Sequence, residues 1–223
     1  YLIDGIRAEG HGVLLFDSGD FSQGTPYFNF FKGNIEVDAM GLMGYDAVTL
    51  GNHEFDNGVE ELARRVDRAE FPVLSANYDF SGSAMEGKTL PFKMFDVKGV
   101  KVGAFGLTIN TRGMVDAANA RGAVYKDPVA CAQWAADTLR ALGADVVVAL
   151  THLGERSTPF YIGDDSLAAK TSGIDLILGG HSHTDGISTV RNKEGGEVTI
   201  VQQASQGRLL GRVDITVKKK KKE

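Results

Sequence analysis

Seven apolar runs punctuate the chain: VLLFD (13–17), DAVTL (46–50), PVLSAN (72–77), VKVGAFGL (100–107), DVVVALT (145–151), DLILG (175–179) and EVTIVQ (197–202). Their shortness, their β-branched content and the Gly, Asn and Asp clusters that bound them predict strands rather than helices. Two segments keep a different period. VEELARRVDRAE (59–70) and DPVACAQWAADTLRALG (127–143) repeat their apolar positions every three and four residues, which predicts amphipathic helices. Strands that are apolar almost throughout must be covered on both faces, so their alternation with helices predicts an α/β architecture. FKMFDVKGVKVGAFG (92–106) adds an antiparallel hairpin turning near Lys98–Gly99, and mixed sheets are therefore expected. The opening YLIDGIRAEGHG (1–12) reads as a helical segment and the loop after it.

The polar residues fall where these strands stop. SGD (18–20) follows the first run, GNHEFD (51–56) the second, THLG (151–154) follows DVVVAL, and GGHSHT (179–184) follows DLIL. Taken singly, Asp20 reads as a turn or cap, Asn52 as a turn residue, His152 as a core histidine, and His181 and His183 as a polar loop. Taken together, four strands delivering Asp, Asn and His to their carboxyl ends match the crevice where open α/β sheets bind ligands. Asp20, Asn52, His152, His181 and His183 form an oxygen and nitrogen donor set suited to zinc, manganese, iron or cobalt, with no thiolate to select a softer metal. Five donors exceed the needs of one tetrahedral site and suggest two ions sharing a carboxylate. Two such ions roughly 3.5–4 Å apart form a clamp for phosphate ester hydrolysis.

His53 remains, beside Asn52 and three residues before Asp56. A carboxylate behind an imidazole fixes its tautomer and supports its protonated form, which is what a general acid for a leaving alkoxide requires. His53 is thus expected to donate the proton, Asp56 to orient it, and Asn52 with His53 to face the phosphate. His11, in AEGHG before the first strand, has no such placement and reads as a surface residue.

Composition narrows the picture. With 223 residues and 43% hydrophobic content the chain can build one sizeable core and is neither disordered nor fibrous. No apolar stretch approaches the roughly 20 residues of a membrane helix, and residues 1–20 lack the order of a signal peptide. The single cysteine, Cys131, can form no intrachain disulfide and is expected on a packed helix face. Of the formal charge of −5, the five lysines and one glutamate at 218–223 mask −9 carried by residues 1–217. An acidic body with one basic tail argues against a nucleic-acid partner, and the tail reads as a solvated end without function. FSQGTPYFNFFKG (21–33) reads as a packed loop in preference to a lining for the mouth of the site.

In order, GD with QG, GNHEFDNG, THLG and GIDLILGGHSHT resemble the blocks of the calcineurin-like metallophosphoesterases, over about residues 13–217. Their wording is similar to the 5′-nucleotidase branch, which includes UDP-sugar hydrolases and 2′,3′-cyclic-nucleotide phosphodiesterases. The resemblance implies two facing mixed sheets flanked by helices, a four-layer α/β/β/α fold with a dinuclear centre at one edge. It implies that Asp20 bridges two divalent ions, that Asn52, His152 and His181 complete one site, that His183 serves the other, and that His53 and Asp56 are the catalytic pair. The expected function is release of phosphate from nucleotides. Alternatives are cyclic-nucleotide, UDP-sugar or sulfur-ester hydrolysis and, in another class, a non-catalytic binding module, against which the His53–Asp56 pair stands.

One block departs from the family: no Asp-x-His occurs in the sequence. The expectation is therefore a catalytic domain over residues 1–217 without its first strand, holding one ion better than two and impaired in hydrolysis. The resemblance further implies a C-terminal domain that grips the nucleoside, and a periplasmic or cell-surface location in bacterial members.

Overall fold

A computed structural model describes residues 1–218, so all but the first residue of the lysine-rich tail lies outside the described residues. In chain order the elements are α1 (Leu2–Ala8), β1 (Phe16–Asp17), α2 (Pro26–Phe31), α3 (Asn34–Met43), β2 (Ala47–Thr49), α4 (Val59–Arg68), β3 (Val73–Leu74) and β4 (Tyr78–Asp79). There follow β5 (Phe92–Val97), β6 (Val100–Thr108), β7 (Val124–Tyr125), α5 (Pro128–Ala141), β8 (Val146–His152), α6 (Asp164–Lys170), β9 (Leu176–Leu178), β10 (Asp185–Arg191) and β11 (Glu197–Gln203).

The strands form a three-stranded sheet in the order β1-β2-β3, a six-stranded sheet in the order β10-β11-β9-β8-β6-β5, and a small β4-β7 pair. Both sheets were expected to be mixed; only the larger is. Its centre, β6, β8, β9 and β11, is parallel, and its edges β5 and β10 run antiparallel because each belongs to a hairpin. The smaller sheet is parallel throughout, since helices carry the chain from β1 to β2 and from β2 to β3 and return it in the same direction.

Period-two alternation places the core. In β8, Val146, Val148 and Leu150 pack with Ala47, Leu74, Ala104 and Val201 between the two sheets. Val147 and Ala149 point the other way, into a cluster with Ala132, Ala135 and Leu139 of α5 and Leu167 of α6. Across the smaller sheet, Val48 and Val73 pack with Val37 and Met40 of α3 and Leu62 of α4. The result is the expected four layers, with helices outside and two sheets within.

Local chemistry fixes the ends. Asp127 caps α5 by accepting the Ala130 N–H at 2.7 Å, and Pro128 occupies the first helical position. The β5–β6 hairpin turns at Lys98 and Gly99, both left-handed with φ of 53° and 80°, as its sequence predicts. Cys131 is half-buried against the α5 core, as expected. Residues 21–33 correct the packed-loop reading: Pro26–Phe31 is helical, and Tyr27, Phe30 and Phe31 are 60%, 80% and 46% exposed. Pro26 at the first helical position was the available signal.

Candidate metal centre

The turn after β1 is stitched onto the larger sheet. Asp17 Oδ1 accepts the Gly19 N–H at 2.8 Å and tightens the turn, while Ser18 Oγ donates to the carbonyl of Leu178 at the end of β9 at 2.7 Å. The Ser18 carbonyl accepts from Nδ1 of His152, the last residue of β8, also at 2.7 Å. The turn after β2 packs directly against it: a methyl group on Gly51 would overlap the Asp20 carboxylate and amide. Asp20, His181 and His183 adopt left-handed backbone with φ of 61°, 77° and 54°. Such a conformation costs a residue with a Cβ about 1–2 kcal/mol, and at three site positions it marks geometry imposed by the surroundings.

These turns bring four of the five expected ligands together. Asp20, His152 and His181 place their ligating atoms within 4.8 Å of one another, and Asn52 Oδ1 lies 3.0 Å from His181 Nδ1. Asp20 Oδ1 accepts the His53 N–H at 2.8 Å, and Oδ2 lies 2.8 Å from His152 Nε2. Because His152 Nδ1 faces a carbonyl, it carries the proton in the neutral ring and leaves a lone pair on Nε2. That buried Nε2 forms no hydrogen bond, although a carboxylate oxygen stands beside it. Two electron-rich atoms so close inside a protein need a shared proton or a shared cation, and the donor set around them fits a divalent ion.

The electrostatics agree. Burial alone would raise Asp20, but the facing His152 ring and its charge, with help from His53, hold it below the usual carboxylate range. Burial alone would lower His152, yet the facing Asp20 carboxylate raises it. His181 is lowered by burial and by the charge of His152. Without a cation, Asp20 and His152 therefore compete for one proton that a metal ion would displace.

His183 is exposed and stands outside the three-residue cluster. His53 opens a short 3-10 turn, His53–Phe55, and its Nδ1 meets Asp56 Oδ2 at 2.7 Å with the ring 40% exposed. Asn119 donates to the Asp56 carbonyl at 2.7 Å and ties this turn to the loop after β6. His11 is exposed, as expected.

Three further residues around the site were not foreseen. Glu54, fully buried, accepts the Gly51 and Asp20 N–H groups on Oε2 at 2.6 and 2.7 Å and the Ser22 hydroxyl on Oε1 at 3.0 Å. Gln202 donates to the Gly180 carbonyl at 2.9 Å and accepts from Ser182 Oγ at 3.0 Å and the Thr184 N–H at 3.2 Å, so one amide holds the loop on both sides of His181 and His183. Asp164, also fully buried, has neither carboxylate oxygen in a hydrogen bond, and burial raises it to about 7. A polar residue closing the apolar run EVTIVQ was the one visible signal for Gln202.

Comparison with known proteins bears on this geometry. The calcineurin-like phosphoesterase family matches residues 1–185. The chain is 35% identical over 257 residues to the trifunctional nucleotide phosphoesterase protein YfkN of Bacillus subtilis, covering 98% of this chain and 17% of that protein. It is 35% identical over 229 residues to a snake venom 5′-nucleotidase of Gloydius brevicauda, covering 94% of this chain and 38% of the relative. The crystal structure of a 5′-nucleotidase precursor from Thermus thermophilus superposes with a TM-score of 0.81 at 36% identity, over 90% of this chain and 41% of that one. The chain thus spans less than half the length of each of these relatives. Family match, shared fold and identity at this level agree: the chain belongs to the calcineurin-like phosphoesterases.

Proposed function

We propose that the protein is a metal-dependent phosphoester hydrolase of the 5′-nucleotidase type that releases phosphate from nucleotides. The observation that carries this reading is the convergence of Asp20, Asn52, His152 and His181 at the ends of strands from both sheets, with the buried His152 Nε2 lone pair facing the Asp20 carboxylate. In this reading those four residues hold one divalent ion, and Asp20 with His183 contributes to a second. A bound ion supplies Lewis-acid polarisation of a phosphoryl oxygen and an activated water. With no Asp-x-His in the sequence, one ion is held better than two and hydrolysis is impaired.

The chain's own residues supply the rest. Asp56 accepts the Nδ1–H of His53, fixing the ring so that Nε2 is free to deliver a proton to the departing oxygen. The Asn52 amide and the His53 ring face the phosphate. The greater length of the relatives supports a separate domain that grips the nucleoside, and the venom 5′-nucleotidase among them supports export from the cell, of which a periplasmic or cell-surface location is the bacterial form. Among the described residues no helix is long and apolar enough to cross a membrane.

Hydrolysis of AMP to adenosine and phosphate, of 2′,3′-cyclic AMP to a nucleoside monophosphate and of UDP-glucose to UMP and glucose 1-phosphate, each followed by its own product with Mn²⁺ and after chelation, tests the proposal. AMP turnover that exceeds the other two and stops on chelation is expected. Turnover that survives chelation overturns the metal dependence, a preference for either other substrate moves the protein to a sister activity, and metal binding without any turnover favours a binding module.

A further inference from the structure

Glu54 stands in the middle of the turn that carries His53, yet its side chain points inward and is inaccessible to solvent. One of its oxygens accepts two backbone N–H groups, from Asp20 in the turn after β1 and from Gly51 in the turn after β2. No ladder partner exists for either group: Asp20 is left-handed, and Gly51 lies beyond the end of β2. The other oxygen takes the Ser22 hydroxyl, so the strap extends along the first turn on both sides of Phe21. Arg65, 1% exposed, joins both turns to the end of α2: it donates to the Glu54 carbonyl, to Ser22 Oγ at 3.3 Å and to the Lys32 carbonyl at 3.1 Å.

We propose that Glu54 is a positioning residue whose buried carboxylate locks the Asp20 and Asn52 turns against each other and thereby sets the affinity of the site for a divalent ion. The inference rests on the reading of Asp20 and Asn52 as ligands. The two turns pack with no room for a Cβ at Gly51, and Glu54 is the side chain that accepts the main-chain N–H of both, whereas the bonds of Asp17 and Ser18 hold only the first turn. Without the Glu54 acceptor, two buried N–H groups and a hydroxyl lose their partner, and the turns relax toward other acceptors. The ligands themselves are untouched; what changes is the distance between the Asp20 carboxylate and the Asn52 amide before any ion arrives.

The test uses Mn²⁺ alone, titrated by calorimetry into the protein and its variants. Glu54→Met keeps the length and removes the acceptor, and is expected to weaken Mn²⁺ binding about 10- to 100-fold, the range for residues that orient metal ligands. Glu54→Gln keeps an oxygen for the two N–H groups and an amide that can donate to Ser22, and is expected to stay within a few-fold of the parent. Arg140→Met supplies a control. It removes bonds to the Gly173, Ala144 and Asp145 carbonyls near the opposite, amino ends of β8 and β9, and should lower stability without changing affinity. If Glu54→Met fails to fold, Glu54→Asp, whose carboxylate stops one methylene short, takes its place.

Hydrogen exchange in the metal-free protein gives a second readout, with the Asp20 and Gly51 amides expected to lose protection in Glu54→Met. Parent-like affinity and protection in that variant overturn the proposal. So does a Glu54→Gln variant as weak as Glu54→Met, which would assign the effect to charge. If the parent protein takes no Mn²⁺ and Asp20→Asn changes nothing, the ligand reading fails separately, and amide exchange alone then decides whether Glu54 locks the turns.

Discussion

His53 and Asp56 meet through Nδ1 and Oδ2 at 2.7 Å because the segment between them is a 3-10 turn, which stacks residues three apart on one face. The ring is thereby oriented by Asp56 of its own turn, while the Asp20 carboxylate holds only the His53 main-chain N–H. His53→Ala is expected to lower phosphate release by about 10²- to 10⁴-fold, the range for a general acid, while leaving metal affinity unchanged. Asp56→Asn keeps an acceptor for Nδ1–H and should cost less. Steady-state kinetics beside metal titration check both, and parent-like turnover in His53→Ala removes the acid role.

Calorimetric titration should show one tight ion and a second that is much weaker. The four-residue set around Asp20 and His152 is assembled, whereas His183 is exposed and has only Asp20 as a companion from the expected ligands. Two equally tight sites would contradict this asymmetry.

Asp164 makes stability depend on pH. Burial raises it from 3.8 to about 7, so the folded chain keeps a proton that the unfolded chain has released across that interval. Stability contributed by this group is present below about pH 4, declines as pH rises through the window, and levels off above about pH 7. Asp164→Asn abolishes the titration. Its advantage over the parent in urea denaturation of the metal-free protein should grow from near zero at about pH 4 to at most about 4 kcal/mol above pH 7. An advantage that does not vary with pH would count against the assignment.

Gly106 lies in β6 where that strand meets the smaller sheet at close range, and its carbonyl accepts the Ala76 N–H at 2.8 Å. A Cβ there would overlap the Leu74 carbonyl and the Thr49 hydroxyl, both of the smaller sheet, and main chain cannot move aside as a flexible side chain can. Gly106→Ala should therefore destabilise by about 3 kcal/mol, at the upper end of ordinary overpacking, measured by thermal or urea unfolding. A loss of only a few tenths would mean that the sheets separate easily.

The four strand ends were legible in the sequence because each couples an apolar run to a distinctive residue type at its end or within three residues of it: Asp20, Asn52, His152 and His181. Glu54 was not, because its importance lies in a side chain that turns back to an amide 34 positions away, and sequence shows which groups a residue carries without showing their direction. Helix α3 escaped for another reason. Its apolar residues surround the helix, with Val37 and Met40 buried while Ile35 and Leu42 are exposed, so no polar face marks the period. The parallel smaller sheet followed from connectivity, which the apolar runs do not record.

Asp20 and Asn52 come from the smaller sheet, His152 and His181 from the larger, and the Asn52–His181 contact spans 129 positions. With these four as the proposed ligands, neither sheet alone owns enough donors to hold an ion tightly. During refolding, affinity for metal must therefore appear only once the two halves have docked, making ion uptake a clock for the last assembly step. Conversely, a bound ion acts as a clasp across the seam, adding about 2.7 kcal/mol of resistance to unfolding when its free concentration is about one hundred times its dissociation constant.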